Sequence, residues 1–169
     1  MRSSVWNPEN PSYDRLWGMI RATFEQRGVV EGHGAGLRGI PEINAFAAAG
    51  LASDHEAWTP EEAIEKLRRG IFLEIRPHSM PDIIKGMLAA GIEDWSQVAF
   101  VTDDRSCSDT LRMGATDYNA RLAIESGLSP EVAIQCVTIN PARHMRLTPW
   151  VGSITPGRFA DFVLLDDVN

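Results

Sequence analysis

Gly50-Leu-Ala-Ser53-Asp54-His55-Glu56 is a short apolar run that stops on three successive side chains able to bind a metal or move a proton. The same design occurs twice more, where Val29 to Gly32 runs into His33 and where Val98 to Thr102 runs into Asp103-Asp104. Capping accounts for any one of these endings but poorly for all three together. An active site assembled from the carboxyl ends of successive parallel strands is the habit of the (β/α)8 barrel, where strands are scaffold and the loops after them carry chemistry. The three runs therefore predict an α/β fold with metal-type chemistry on a barrel rim.

Outward from these runs, apolar β-rich stretches alternate with segments of helical period. Thr59-Pro60-Glu61-Glu62 is a capping box with Pro at the first helical position, and its helix runs to about Arg69 before Gly70. Glu65 and Arg69 stand one turn apart on it and can pair. Ile71 to Ile75 reads as the next strand, Ser79 or Met80 opens a helix through Ala90 closed by Gly91, and Gln97 to Thr102 is a further strand. Helices follow over Thr116 to Ser126, from Ser129-Pro130, and from Asn140-Pro141 to near Arg146. Strands near residues 29, 51, 71 and 98, each followed by a helix, amount to half a barrel. Before them lies a helix over Tyr13 to Gln26, whose Leu16, Trp17, Ile20 and Phe24 recur at core-packing spacing. After Pro149 the pattern changes to β-turn-β, with Pro156-Gly157 as the turn and Phe162 to Leu165 as a strand. The division predicted is 1–149 for the barrel half and 150–169 for the start of a small β-domain.

Composition removes several function classes. A net charge of -7 with 16 scattered basic residues gives no phosphate-binding face, which excludes nucleic acid as a partner. No apolar stretch approaches the ~20 residues of a membrane-spanning helix, and the first twenty residues lack the apolar centre of a signal peptide. Cys107 and Cys136 are far apart and form no C-x-x-C pair, so neither a disulfide framework nor a thiolate metal site is expected, and the expected compartment is the cytoplasm.

The site residues follow from the strand ends. His33 sits among glycines in Glu31-Gly-His33-Gly-Ala-Gly-Leu, a loop that lets a ligand or metal approach closely. His55, flanked by Asp54 and Glu56, can ligate a metal while a neighbouring carboxylate moves protons. Asp103 and Asp104 end a strand too apolar to need them for solubility. A divalent cation held by imidazole and carboxylate acidifies water, so the chemistry expected is hydrolytic. Arg76 and Arg105, on the same rim, with Asp104 and with Ser79 in the loop after Arg76, are candidates to bind substrate, the arginines through a polar or anionic group. His78, in the loop after Arg76-Pro77, could equally face substrate or solvent, and His144 reads as an ordinary residue.

Five segments carry a family resemblance. They are Glu31 to Leu37, Ala48 to Glu56, Glu61 to Gly70, Thr102-Asp103-Asp104-Arg105 and Gly152-Ser-Ile-Thr-Pro-Gly-Arg-Phe-Ala-Asp161. In this order they resemble the amidohydrolase superfamily and, within it, the adenine deaminases. The resemblance implies a barrel with a two-metal centre and hydrolysis of adenine to hypoxanthine and ammonia in purine salvage. It implies that His33, His55 and Asp103 are metal ligands, that Asp103 also orients the attacking water, and that Glu56 shuttles a proton to the purine ring. The metals implied are manganese or iron, with zinc possible.

The same comparison shows what the sequence lacks. Neither the His-x-His pair of the first strand, nor the carboxylate after the fourth, nor the N-terminal share of the β-domain is present. The chain thus reads as a C-terminal fragment, or a gene begun at an internal Met, that works with its missing half or as a homo-oligomer. Another nucleobase deaminase, a cyclic amidohydrolase, and a non-catalytic half-barrel used for assembly remain as alternatives.

Overall fold

Thr59 shows how locally the chain dictates its helices: its Oγ1 accepts a hydrogen bond from the Glu62 N–H at 3.3 Å, and Pro60 occupies the first turn where no donor is needed. Ser129 caps in the same way, accepting from the Val132 N–H at 3.4 Å. In the computed structural model, residues 8–37 and 39–166 are described. The elements in chain order are α1 (Tyr13–Glu25), α2 (Ile40–Ala48), β1 (Ser53–Asp54), α3 (Pro60–Leu67), β2 (Phe72–Ile75) and α4 (Met80–Ala89). They continue with β3 (Val98–Phe100), α5 (Cys107–Met113), α6 (Thr116–Glu125), α7 (Pro130–Val137) and α8 (Ile139–His144).

The three strands form one parallel sheet in the order β1-β2-β3, with Ser53 opposite Phe72 and Leu73 opposite Val98. Because side chains alternate along a strand, this register sorts the residues into two faces. Leu73, Ile75, Val98 and Phe100 share the face covered by helices, where they are buried with Ile83, Ile84 and Met87 of α4. Each such apolar side chain contributes about 1.5 to 3 kcal/mol through removal from water. Ser53, Phe72 and Glu74 share the opposite face, the side that a closed barrel would turn inward. A second apolar cluster, built on Ile43, Phe46, Leu51 and Ile71, seats α1 and α2.

Four expectations need correcting. Residues 29–32 form no strand; one bond, from the Ala52 N–H to the Val30 carbonyl at 2.8 Å, aligns them beside the sheet, too few to make a ladder. Among the described residues after Pro149 there is also no strand: Ile154, Val163 and Leu164 lie exposed, since a β segment with no neighbour to pair with has no ladder to join. Phe24 is half exposed, its ring lying over Gly50 at the rim of the second cluster, while Ile20 alone of its helix is fully buried. Finally, α2 and α5 are helices that the pattern reading did not mark.

Candidate functional site

Asp54 anchors the site from behind the sheet. It faces the helices with Leu73, where its carboxylate is wholly buried and paired with Lys66 of α3 at 2.6 Å. Its Oδ1 accepts from the Gly34 N–H at 2.8 Å and from the Glu56 N–H at 3.0 Å. One buried acid thus fixes both the glycine loop that carries His33 and the turn that carries Glu56. Gly34 is required there, because a Cβ would come within 2.3 Å of Asp54 Oδ2. Lys66 is fully buried and also pairs with Glu62 at 2.5 Å, so the helix that follows the turn is tied into the same network.

On that frame His33 Nδ1 and His55 Nε2 face each other at 3.0 Å. Glu56 Oε1 lies 3.8 Å from the first and 4.0 Å from the second, which gathers two imidazole nitrogens and a carboxylate oxygen within 4.8 Å. Ligands bound at about 2.1 Å and at right angles around an ion stand ~3 Å apart, so this spacing and this mix of donors suit a divalent transition metal. The far nitrogen of His55, Nδ1, points to Glu74 Oε2 at 3.9 Å, leaving Nε2 for a ligand.

Asp103 is expected in this group but stands one guanidinium away. Arg76 Nη1 pairs with Glu56 Oε1 at 2.9 Å and donates a short hydrogen bond to Asp103 Oδ2. Burial pushes the Asp103 carboxyl up, but the Arg76 hydrogen bond and charge outweigh it and hold it below the usual carboxylate range. Asp103 has φ near +48°, a left-handed conformation that Asp tolerates better than most residues and that turns the chain off the end of β3.

The remaining predicted residues divide. A cavity of about 480 Å³ lies beside Asp103 and is bordered by Trp58, Arg76, His78, Asp104, Arg105 and Tyr118, among others. Asp104 is fully exposed at its mouth. Arg105 is largely occupied with structure: it donates to the Gly114 and Ala115 carbonyls and to Asn119 Oδ1, and lies over the Tyr118 ring. Ser79 stands apart from this cavity, since its hydroxyl is buried and donates to the Ala57 carbonyl at 3.1 Å. His78, for which the sequence leaves both a substrate-facing and a surface position open, meets Trp58 with ring centroids 4.8 Å apart on the cavity wall.

Sequence reasoning missed a second cluster on the inner face. His144 Nε2 is 2.8 Å from Glu31 Oε1 and its ring stacks on Phe72 at 4.0 Å, while Glu31 also takes a short hydrogen bond from Ser53. The His144 and Ser53 hydrogen bonds outweigh burial and lower Glu31. Burial, then the Glu31 charge, push Glu74 up to about 7. The signal available was alternation: Glu31 is two residues before His33, on the same face of the same run.

A family model described as the amidohydrolase family matches residues 25–169. The chain is similar to adenine deaminase 2 of Jannaschia sp. (strain CCS1), 76% identical over 98% of this chain and 26% of that protein. It is similar also to adenine deaminase 1 of Bradyrhizobium sp. (strain ORS 278), at 70% over 98% of this chain and 27% of that one. The adenine deaminase of Deinococcus deserti (strain DSM 17065 / CIP 109153 / LMG 22923 / VCD115) is 41% identical over 92% of this chain and 28% of its own length. The chain therefore spans about a quarter of the length of these relatives. A crystal structure of an amidohydrolase shares the fold, with a TM-score of 0.62 at 20% identity over 88% of this chain and 40% of that one. The chain belongs to the amidohydrolase family, and its paired imidazoles and adjoining carboxylate fit the divalent metal that membership implies.

Proposed function

We propose that this chain supplies the later half of a (β/α)8 barrel, residues 1–149, and the first β segment of a small domain, residues 150–169, in an enzyme that hydrolyses adenine to hypoxanthine and ammonia. One observation carries the reading. His33, His55 and Glu56 converge beside the end of β1, with Asp103 joined to them through Arg76, beside a cavity with the aromatic walls Trp58 and Tyr118 that a flat heterocycle needs. The named relatives, all adenine deaminases, support the substrate.

In this reading His33, His55 and Asp103 are ligands, and the divalent cation, manganese or iron with zinc possible, supplies Lewis acidity and an acidified water. Asp103 takes a proton as the water oxygen bonds to purine C6. Glu56 delivers a proton to the adjacent ring nitrogen, which leaves a tetrahedral carbon bearing both oxygen and the amino group. The C6–N bond then breaks as the amino group takes the proton from Asp103 and leaves as ammonia, while the hydroxyl on C6 returns its proton to Glu56 and becomes the carbonyl of hypoxanthine. Arg76 and Asp104 at the cavity, and with them Arg105, orient the ring. The missing ligands come from a further polypeptide or from the rest of a longer chain, and the two unpaired cysteines fit a cytoplasmic setting.

The test is ammonia release from adenine with manganese, by this chain alone and together with the preceding half of the Jannaschia relative. Turnover is expected only in the combination. Turnover of hydantoin or dihydroorotate with none of adenine would overturn the substrate, and robust turnover by the lone monomer would overturn the division of the site.

A further inference from the structure

Glu56 stands where a ligand would stand, yet the proton-transfer role requires it to be free of the metal. Its Oε1 lies within 4.0 Å of both imidazole nitrogens, close enough to complete their donor set. Both oxygens of its carboxylate are nevertheless engaged: Oε1 forms an ion pair with Arg76 Nη1 at 2.9 Å and Oε2 accepts from the Trp58 indole N–H at 3.1 Å. The two donors fix each other as well, because the Arg76 guanidinium lies over the Trp58 ring at 5.5 Å. Arg76 is itself buried, 8% exposed, and its Nε has no partner, so the side chain is held for what its Nη1 does. A guanidinium keeps its charge at every working pH.

We propose that Arg76, with Trp58, is a positioning residue that keeps Glu56 out of the metal's coordination shell and so reserves its carboxylate for proton transfer. A carboxylate with one oxygen paired to a guanidinium and the other accepting from an indole has little electron density left for a second cation, whereas Arg76 meets Asp103 at Oδ2 only. Arg76 thereby separates two acids that sit on one rim: Asp103 and Glu56 share its Nη1 and take different roles. This rests on a metal at His33 and His55, not on the identity of the substrate.

The experiment uses cobalt(II) as probe on the 169-residue chain without substrate, reading affinity by titration and ligand number by the visible absorption of the bound ion. Glu56→Gln is expected to bind cobalt with the affinity and spectrum of the unaltered chain. Arg76→Met is expected to bind about tenfold tighter, within the range over which neighbours of metal ligands act, and with a changed spectrum as Glu56 joins the shell. Adding Glu56→Gln to Arg76→Met should restore both, and Arg76→Lys, which keeps a cation there, should stay near the starting values. Should Arg76→Met fail to fold, Trp58→Phe frees only Oε2 and is expected to show a smaller tightening in the same direction. The idea is overturned if Glu56→Gln alone weakens cobalt binding tenfold, if Arg76→Met and Trp58→Phe match the unaltered chain, or if neither the unaltered chain nor Arg76→Met binds cobalt. Absence of adenine turnover in the combined halves would leave these results untouched, so the two failures are distinguishable.

Discussion

At the scale of single residues, the balance of charge is set by one buried pairing, one crowded carboxyl and one carboxylate held low. Lys66 and Asp54 neutralise each other out of water, and removing one partner strands the other. Lys66→Met is expected to cost about 3 to 5 kcal/mol, read as a lower urea midpoint. Glu74 gives a pH signature. Its carboxyl is raised from 4.5 to about 7 by burial and then by Glu31, so the folded metal-free chain holds this proton where the unfolded chain has released it. Stability contributed by this group is therefore greatest below pH 4.5, declines as the pH rises through that window, and is level above 7. The full decline is at most about 3 kcal/mol. Glu74→Gln should abolish this slope in denaturation curves taken from pH 5 to 7.5. Asp103, held low, works the other way: its contribution is present above its ordinary value of 3.8 and is lost as the pH falls.

At the scale of elements, the local chemistry of helix starts was legible and the geometry between strands was not. Thr59 and Ser129 announce their helices because a cap needs only residues three apart. Thr59→Ala should lower stability by about 1 kcal/mol in the same urea measurement. The helix over Cys107–Met113 buries none of its residues, so no apolar stripe marks it, although Ser106 with Asp109 is a readable cap. The helix after Gly39 begins without a side-chain cap. At the site, His33 and His55 were legible because both end apolar runs that must lie side by side. The role of Arg76 was not, because its bond to Asp103 joins residues 27 apart and depends on the register of two strands. The glycine loop ties the two levels together. Gly34→Ala forces a methyl against Asp54, and is expected both to lower the urea midpoint and to weaken cobalt binding, as His33 moves off His55.

At the scale of the whole molecule, the two faces of the sheet differ in what packs on them, helices on one and the His144–Glu31 pair on the other. Parallel sheets are ordinarily covered on both sides, and here the inner face, with Ser53 and Phe72 buried, carries a His144 ring stacked on Phe72 and a Glu31 carboxylate bonded to Ser53. Proposed as half of a barrel, the chain should bind the preceding half of the Jannaschia relative, and in its absence should pair with itself at high concentration. Sedimentation of the two halves, separately and mixed, checks this; a lone chain that stays monomeric and ignores its counterpart would contradict it.

The contact between His144 and Glu31 spans 113 residues, and close by Arg146 donates to the Arg27 carbonyl across 119. Between them these bonds fasten the segment after α1 to the end of α8, while nearly every other polar contact is made over shorter loops. Closing so long a loop is entropically slow and comes after local helices have formed. The seam they make is then the last to knit and the first to open, so amide exchange and proteolytic nicking of this protein should begin there while the sheet behind Asp54 is still intact.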